Sequence, residues 1–426
     1  MPKSRNTGPW LAVALLCTAA SGASAASAVG SVGGTVALAQ AGGLAPAPAD
    51  FAACLARLRP EAAAKGVTGA VFDAQTALLA PDMAVIGFLD AQPEFVTPVW
   101  DYLAGLVDDE RVADGRAMLE QWRVVLKQVE SQYGVEAETV VAVWGVESNY
   151  GRNFGKRPLL ESLSTLSCYG RRQTYFRGEL INTLKIIQNG DVAPEKLRGS
   201  WAGAFGHTQF MPSTFLRLAV DHDGDGRRDL VDSVPDALAS TANFLERAGW
   251  RTGLPWGFEV KLPAGFDTAG TGRRNRQPIS AWTERGLVRI DGRPLAAGAM
   301  QKDTAAAVLL PAGSQGPAFL VTANFNAIFS YNASESYALA IAHLSDRLRG
   351  GKTFVTPWPT DDPGLSRAER RELQTLLIAR GHDIGEADGM IGARTREALK
   401  SALAAMGIES PDGRAGRRAL EALRRR

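Results

Sequence analysis

The chain has 426 residues, 45% of them apolar and 22% charged, which suits two or three globular domains with real cores rather than a disordered polymer. Its formal charge of +2 falls to zero, 45 basic against 45 acidic residues, once the first 25 residues with Lys3 and Arg5 are set aside. No global field therefore argues for a nucleic-acid partner.

Those first residues read as a secretory signal. Lys3 and Arg5 form a positive start, Trp10 to Ala20 an apolar stretch, and Ala23-Ser24-Ala25 a small-residue cleavage site. The apolar stretch is too short to favour a spanning helix. Leu16 stands before Cys17 where a lipoprotein signal wants a small residue, so Cys17 belongs to the discarded segment. Residues 26–50 are rich in Ala, Gly, Ser and Pro and suit a flexible leader. Two cysteines remain, Cys54 and Cys168. In an oxidising compartment they suit a disulfide; two unrelated buried thiols are the alternative. No Cys-x-x-Cys or Cys/His cluster supports zinc or redox chemistry.

Short helices are predicted at Phe51 to Arg59 and Asp73 to Leu79. A longer one spans Asp108 to Tyr133, where Met118, Leu119, Trp122, Val125, Leu126 and Val129 form one apolar stripe. After a turn at Gly134, acids at Glu136 and Glu138 mark the start of another helix. Its apolar run from Val140 is nearly unbroken, which predicts burial, and ends on Glu147-Ser148-Asn149-Tyr150-Gly151. A carboxyl in that last turn lies against an apolar interior, where desolvation holds its proton for a leaving group. Farther on, Arg171, Arg172 and Tyr175 suit a solvated helix face with one packed ring. In the run Gly199 to Thr214, Gly203 and Gly206 allow close backbone approach, and Gln209 offers donor and acceptor beside aromatic surface. Sugars are bound in that way, although a glycine-rich helix start would read the same.

Together, Gly-Val-Glu-Ser-Asn-Tyr-Gly at 145–151 and Gly-Ala-Phe-Gly-His-Thr-Gln-Phe-Met-Pro-Ser at 203–213 resemble the lytic murein transglycosylase B family. The likeness runs from about Asp82 to about Arg349. It implies a mainly α, lysozyme-like catalytic domain over residues 51–349 with Glu147 as its acid and base. It also implies a glycan groove that includes Arg171, Arg172, Tyr175, Ser200, Gln209, Phe210, Tyr331, Asn332 and Tyr337. Packing and a cap near a helix start explain Tyr331, Asn332 and Tyr337 equally well from the residues alone.

The run Asp221 to Asp232 places acids at positions 1, 3, 5, 9 and 12 of a calcium loop, with Gly226 at the sharp turn. Asp221, Asp223, Asp225, the Arg227 carbonyl and Asp232 are the expected ligands, Asp232 replacing the usual Glu. The resembled family carries a calcium loop here as well, which implies a structural Ca2+ and no cofactor for the chemistry. Ala237 to Ala248 is a further helix. Phe258 to Val321 changes to short strand-like runs between Gly/Pro turns, a small β-containing insertion. A last helix covers Ser334 to Leu348.

Pro357, Pro359 and Pro363 mark residues 350–364 as a linker. Residues 365–426 form three short helices, and Asp388-Gly389-Met390-Ile391-Gly392-Ala393-Arg394-Thr395 resembles the small peptidoglycan-binding module. With 13 basic and 9 acidic residues this module is +4, which suits an acidic wall polymer.

Most glycosidases need two carboxylates, and the motif supplies one. The resemblance resolves this through substrate assistance. Glu147 would cleave the β-1,4 bond between N-acetylmuramic acid and N-acetylglucosamine and leave 1,6-anhydromuramyl ends. Rival readings are a hydrolytic muramidase and a non-catalytic wall-binding protein. The expected partners are peptidoglycan glycan strands and other cell-wall enzymes, with no nucleic acid. The mature chain is expected as a monomer without a transmembrane segment, in the periplasm of a Gram-negative envelope.

Overall fold

The computed structural model describes residues 48–90, 97–410 and 412–425, so the expected signal and nearly all of the leader lie outside the described residues. Helices α1 (Pro48–Ala64) and α2 (Gly69–Thr76) lead through a 3-10 segment, Met83–Asp90, to α3 (Val99–Leu106). The predicted helix over 108–133 is two, α4 (Asp109–Gln121) and α5 (Arg123–Tyr133), broken at Trp122 where the backbone leaves helical geometry. Asp108 caps α4 by accepting from the Arg111 amide at 2.8 Å. Gly134 ends α5 in the left-handed conformation.

Helix α6 (Ala137–Ser148) follows. Its residues from Thr139 to Gly145 are all buried, as its unbroken apolar run predicts. Helices α7 (Leu159–Cys168) and α8 (Gln173–Asn189) pack as a pair, followed by α9 (Pro212–Leu218) and α10 (Val234–Arg247). Strands β1 (Arg157–Pro158) and β2 (Arg198–Gly199) form a short antiparallel pair.

The helical body has two cores. One gathers α6 with α4, α5, α10 and the later helices α12 (Ala323–Asn332) and α13 (Glu335–Leu348) around Trp144, Leu238, Phe325 and Leu339. The other joins α1, α7, α8 and α9 around Leu163, Phe176, Phe205 and Phe215. A disulfide between Cys54 and Cys168, with Cα atoms 5.9 Å apart, ties α1 to the end of α7. Phe244 and Tyr331 pack against both cores and mark the seam between them.

Between α10 and α12 the chain builds a five-stranded antiparallel sheet. Its strands are β3 (Gly257–Lys261), β4 (Gln277–Pro278), β5 (Val288–Arg289), β6 (Ala305–Leu309) and β7 (Ala318–Val321), in the order β4-β6-β7-β3-β5. Side chains alternate between faces along each strand. Val308 and Leu320 enter a third core with Trp282 of α11 (Ile279–Glu284), while Leu309, Phe319 and Val321 face the first helical core. The insertion is therefore packed on both faces.

The C-terminal residues form α14 (Arg367–Ala379), α15 (Ala393–Ala405) and α16 (Arg417–Arg424) around Leu373, Leu377, Leu399 and Leu420. Residues 350–364, expected as a linker, are held against the body. The Val355 and Thr356 amides both donate to the Glu259 carboxylate at 2.7 Å. Phe354 stacks on His343 at 3.8 Å, and Trp358 meets Trp100. Among the described residues no helix is long and apolar enough to cross a membrane.

Candidate active site

Glu147 occupies the last turn of α6, half-buried at the seam of the two cores. The residues after it form a run of left-handed backbone, with φ of 52° at Asn149, 58° at Tyr150 and 82° at Gly151. Two non-glycine residues in succession at positive φ are strained, and such a turn persists only where its surroundings fix it. The Tyr150 hydroxyl donates to the Arg111 carbonyl at 2.8 Å, and its ring lies over Gly145, where an added Cβ would stand 2.7 Å from the ring. Buried Arg111 in turn donates to the Gly145 carbonyl. Ser148 donates to the His207 carbonyl at 2.5 Å and accepts from the Gly151 amide at 3.0 Å. A Cβ on Gly151 would stand 2.5 Å from the His207 ring. Gly145, Ser148, Tyr150 and Gly151 thus hold the turn that carries Glu147.

The second motif is a tight hairpin. The Phe205 amide donates to the Phe210 carbonyl at 3.1 Å, and the Ala204 amide donates to Ser200 Oγ at 3.0 Å. Gly206 lies against the Leu230 carbonyl, 2.4 Å from where a Cβ would stand. His207 Nδ1 accepts from the Trp144 indole at 3.0 Å, which leaves the proton on Nε2. Burial pulls the His207 imidazole down to about 4, so it stays neutral. Gln209 donates to the carbonyls of Phe154 at 3.1 Å and Gly206 at 2.9 Å, locking the hairpin to the turn below Glu147.

Two tyrosines close the seam from the other side. The Tyr337 hydroxyl donates to Glu147 Oε1, and Tyr337 stacks on Tyr331 with ring centres 6.3 Å apart. Tyr331 donates to the Thr208 carbonyl at 2.8 Å. Burial, followed by the Glu147 carboxylate, pushes both hydroxyls well above the usual tyrosine range, so both remain donors.

The residues predicted for the groove divide. Glu147, Tyr331 and Tyr337 come together, with Gln209 and Ser200 on the facing hairpin and exposed Asn332 at the end of α12. Tyr337 is buried, so it addresses Glu147 rather than a groove surface. Phe210 is 1% exposed and packs between Phe244 and Tyr331, which leaves it no surface for a sugar. Arg171, Arg172 and Tyr175 stand at the α7–α8 corner. There Arg171 donates to the Leu89 carbonyl and the Arg172 guanidinium lies 4.5 Å over the Tyr175 ring. Tyr150 and His207 lie inside the quoted motifs, yet their roles depend on partners distant in sequence. Nothing in the local pattern around Arg111 marks it.

The acidic loop gathers a set of carboxylates that differs from the predicted one. Carboxylate oxygens of Asp221, Asp223 and Asp236 lie within 4.8 Å of one another. Asp236, in the first turn of α10, is buried and accepts from the amides of His222 at 2.7 Å and Asp229 at 2.8 Å. Asp232 instead pairs with Lys196 on the outer side of the loop. Asp229 turns the chain by accepting from the Val231 and Asp232 amides, which carries Asp232 away and brings α10 back toward Asp221. Asp225 accepts from the Arg227 amide and faces its guanidinium at 3.6 Å.

Comparison with known proteins places the chain in a family. Residues 50–346 match the family described as Transglycosylase SLT domain, and residues 366–423 match one described as a peptidoglycan binding domain. Membrane-bound lytic murein transglycosylase B of Escherichia coli (strain K12) is 33% identical over 256 residues, 57% of this chain and 65% of that protein. The match thus spans just under two thirds of that relative's length. The crystal structure of SltB3 from Pseudomonas aeruginosa in complex with NAG-anhNAM-pentapeptide is 46% identical, covering 88% of this chain and 99% of that one with a TM-score of 0.71. The Escherichia coli lytic transglycosylase SLT35 in complex with calcium is 30% identical, covering 70% and 92%, with a TM-score of 0.61. With the family model spanning the helical body, both motifs and the sheet insertion, this chain belongs to the transglycosylase SLT domain family and carries a C-terminal peptidoglycan binding domain.

Proposed function

We propose that the protein is a peptidoglycan lytic transglycosylase in which Glu147 is the sole acid and base. The observation that carries this reading is the Glu147 carboxylate, set at the seam of two cores and held by the Tyr337 hydroxyl. In the first step Glu147 protonates the glycosidic oxygen as the C1–O bond breaks, and the muramyl N-acetyl carbonyl oxygen bonds to C1. In the second, the Glu147 carboxylate takes the proton of the 6-hydroxyl while that oxygen displaces the carbonyl from C1. The product is a 1,6-anhydro end, no water is consumed, and Glu147 returns to its protonated form. Ring closure within one bound sugar exploits proximity over attack by water. The SltB3 complex, whose ligand carries an anhydro-muramyl unit, supports the same outcome for this chain. Export to the periplasm rests on the N-terminal pattern, and the wall-binding role of residues 365–426 on the family match.

The Asp221, Asp223 and Asp236 oxygens, all hard donors gathered around one loop, fit a calcium ion, and the calcium complex of SLT35 supports that reading. The ion would fasten the loop to the start of α10 and would take no part in bond breaking.

Mass analysis of the fragments released from purified sacculi tests the reading. Anhydro ends, lighter by one water than hydrolysed ends, are expected. Hydrolysed ends alone would make the protein a muramidase, and no release would leave it a binding protein.

A further inference from the structure

The C-terminal module is docked on the catalytic body through charge. The Arg367 guanidinium, at the start of α14, donates to Glu110 at 3.0 Å, Asp114 at 3.2 Å and the Asn149 side-chain oxygen at 2.7 Å. Its backbone amide donates to Asp108 at 3.4 Å. Arg371 pairs with Glu110, and Arg414 forks onto both oxygens of Asp101 at 2.7 Å. These arginines, which contribute to the module's basic excess, face the enzyme rather than the wall polymer.

Arg367 differs from the other two in reaching Asn149. That residue ends α6 two positions after Glu147 and opens the strained left-handed run. Tyr150 clamps the second residue of the run through Arg111, and Arg367 clamps the first. Without Arg367, Asp108, Glu110 and Asp114 would also lose a cation that stands among all three. The side chain is only 12% exposed, so water screens these contacts weakly.

We infer that Arg367 is a positioning residue for catalysis: through Asn149, the wall-binding module completes the turn that aims Glu147. This rests on the assignment of Glu147 as the acid and base. The catalytic body is then not a self-sufficient unit with a tethered anchor, and the module acts on turnover as well as on binding.

The test is steady-state cleavage of a short soluble glycan by the full chain, using Arg367→Ala, Asn149→Gly and the double variant. Glycine adopts the left-handed conformation freely but offers no acceptor to Arg367. Arg367→Ala is expected to lower kcat on the order of ten-fold, as small misplacements of a reacting group do, with KM nearly unchanged. If Arg367 acts through Asn149, the double variant is no slower than the worse single one. Should Arg367→Ala fail to fold, Arg367→Lys keeps a cation among the acids but lacks the flat fork that spans them and Asn149. It is expected to show the same loss of kcat. Wild-type kcat in whichever of Arg367→Ala and Arg367→Lys is folded, or losses that multiply in the double variant, would overturn the inference. A wild-type chain that cleaves nothing would instead sink the assignment of Glu147.

Discussion

The Tyr337 hydroxyl donates to Oε1 of Glu147, joining α13 to α6 across 190 positions of sequence. A hydrogen bond to a charged group contributes about 1.5–3 kcal/mol. Tyr337→Phe keeps the ring and its stacking on Tyr331 but removes this donor from the carboxylate. It should lower kcat by roughly ten-fold or more with little change in KM, given about 1.4 kcal/mol per factor of ten. Unchanged kcat would show that the Tyr337 hydroxyl is not what orients Glu147.

Glu147→Gln should abolish cleavage while melting and sacculus binding stay near wild type. General acid–base groups contribute about 10²–10⁴-fold. Residual activity above about one hundredth would mean that another group moves the proton.

Calcium should raise the melting temperature of chelator-treated protein, because a ligand that binds only the folded state stabilises it by mass action. Asp221→Ala should lose that response and keep activity at moderate temperature. Asp232→Ala should keep the response, since Asp232 pairs with Lys196 instead of joining the cluster. An Asp232→Ala protein blind to calcium would restore the twelve-residue ligand pattern.

The Cys54–Cys168 bond closes a loop of 114 positions. In the chain-entropy model a loop near that length contributes roughly 4–5 kcal/mol. Cys54→Ser with Cys168→Ser should therefore melt several degrees lower than the oxidised parent. Finding two free thiols in the denatured, unreduced protein would remove the bond and its contribution together.

Burial pulls His343 down to about 3 from its ordinary 6.5, so its neutral form stabilises the fold fully above about pH 6.5 and loses that effect as pH falls toward the folded value. Asp346, raised by burial to about 6, works in the opposite sense. The contribution of His343 must therefore be read as a difference. His343→Phe should lose less melting temperature than wild type between about pH 7 and about pH 5. Parallel curves for the two proteins would show that the imidazole titrates alike in the folded and unfolded states.

What can be read in the sequence is local. The Glu147 motif is contiguous, so its burial and the helix end are visible in the run itself. The acidic loop shows Asp221 and Asp223 because they share one turn. Asp236 escapes because it belongs to the next helix, beyond a template of twelve positions. Phe210 follows the glycine-bearing hairpin, where a ring can serve a sugar or a core, and only the packing of Phe244 and Tyr331 decides. Prolines at 357, 359 and 363 stiffen a segment without saying whether it floats. Here Glu259 and Trp100, distant in sequence, hold it down together with His343 of the preceding helix. The basic excess of the module is visible as a count, but a count does not tell which way an arginine faces.

The packing of α13 on α6 also sets when the enzyme can first act. Synthesis runs from the N-terminus, and domains fold as their segments emerge. A growing chain carries the Glu147 carboxyl early, yet the hydroxyl that donates to it comes only after the whole sheet insertion, at Tyr337. A chain stopped before α13 lacks that hydroxyl and leaves the first core without Leu339 and Leu344. The blade is thus forged early and mounted late, so unfinished copies are born blunt.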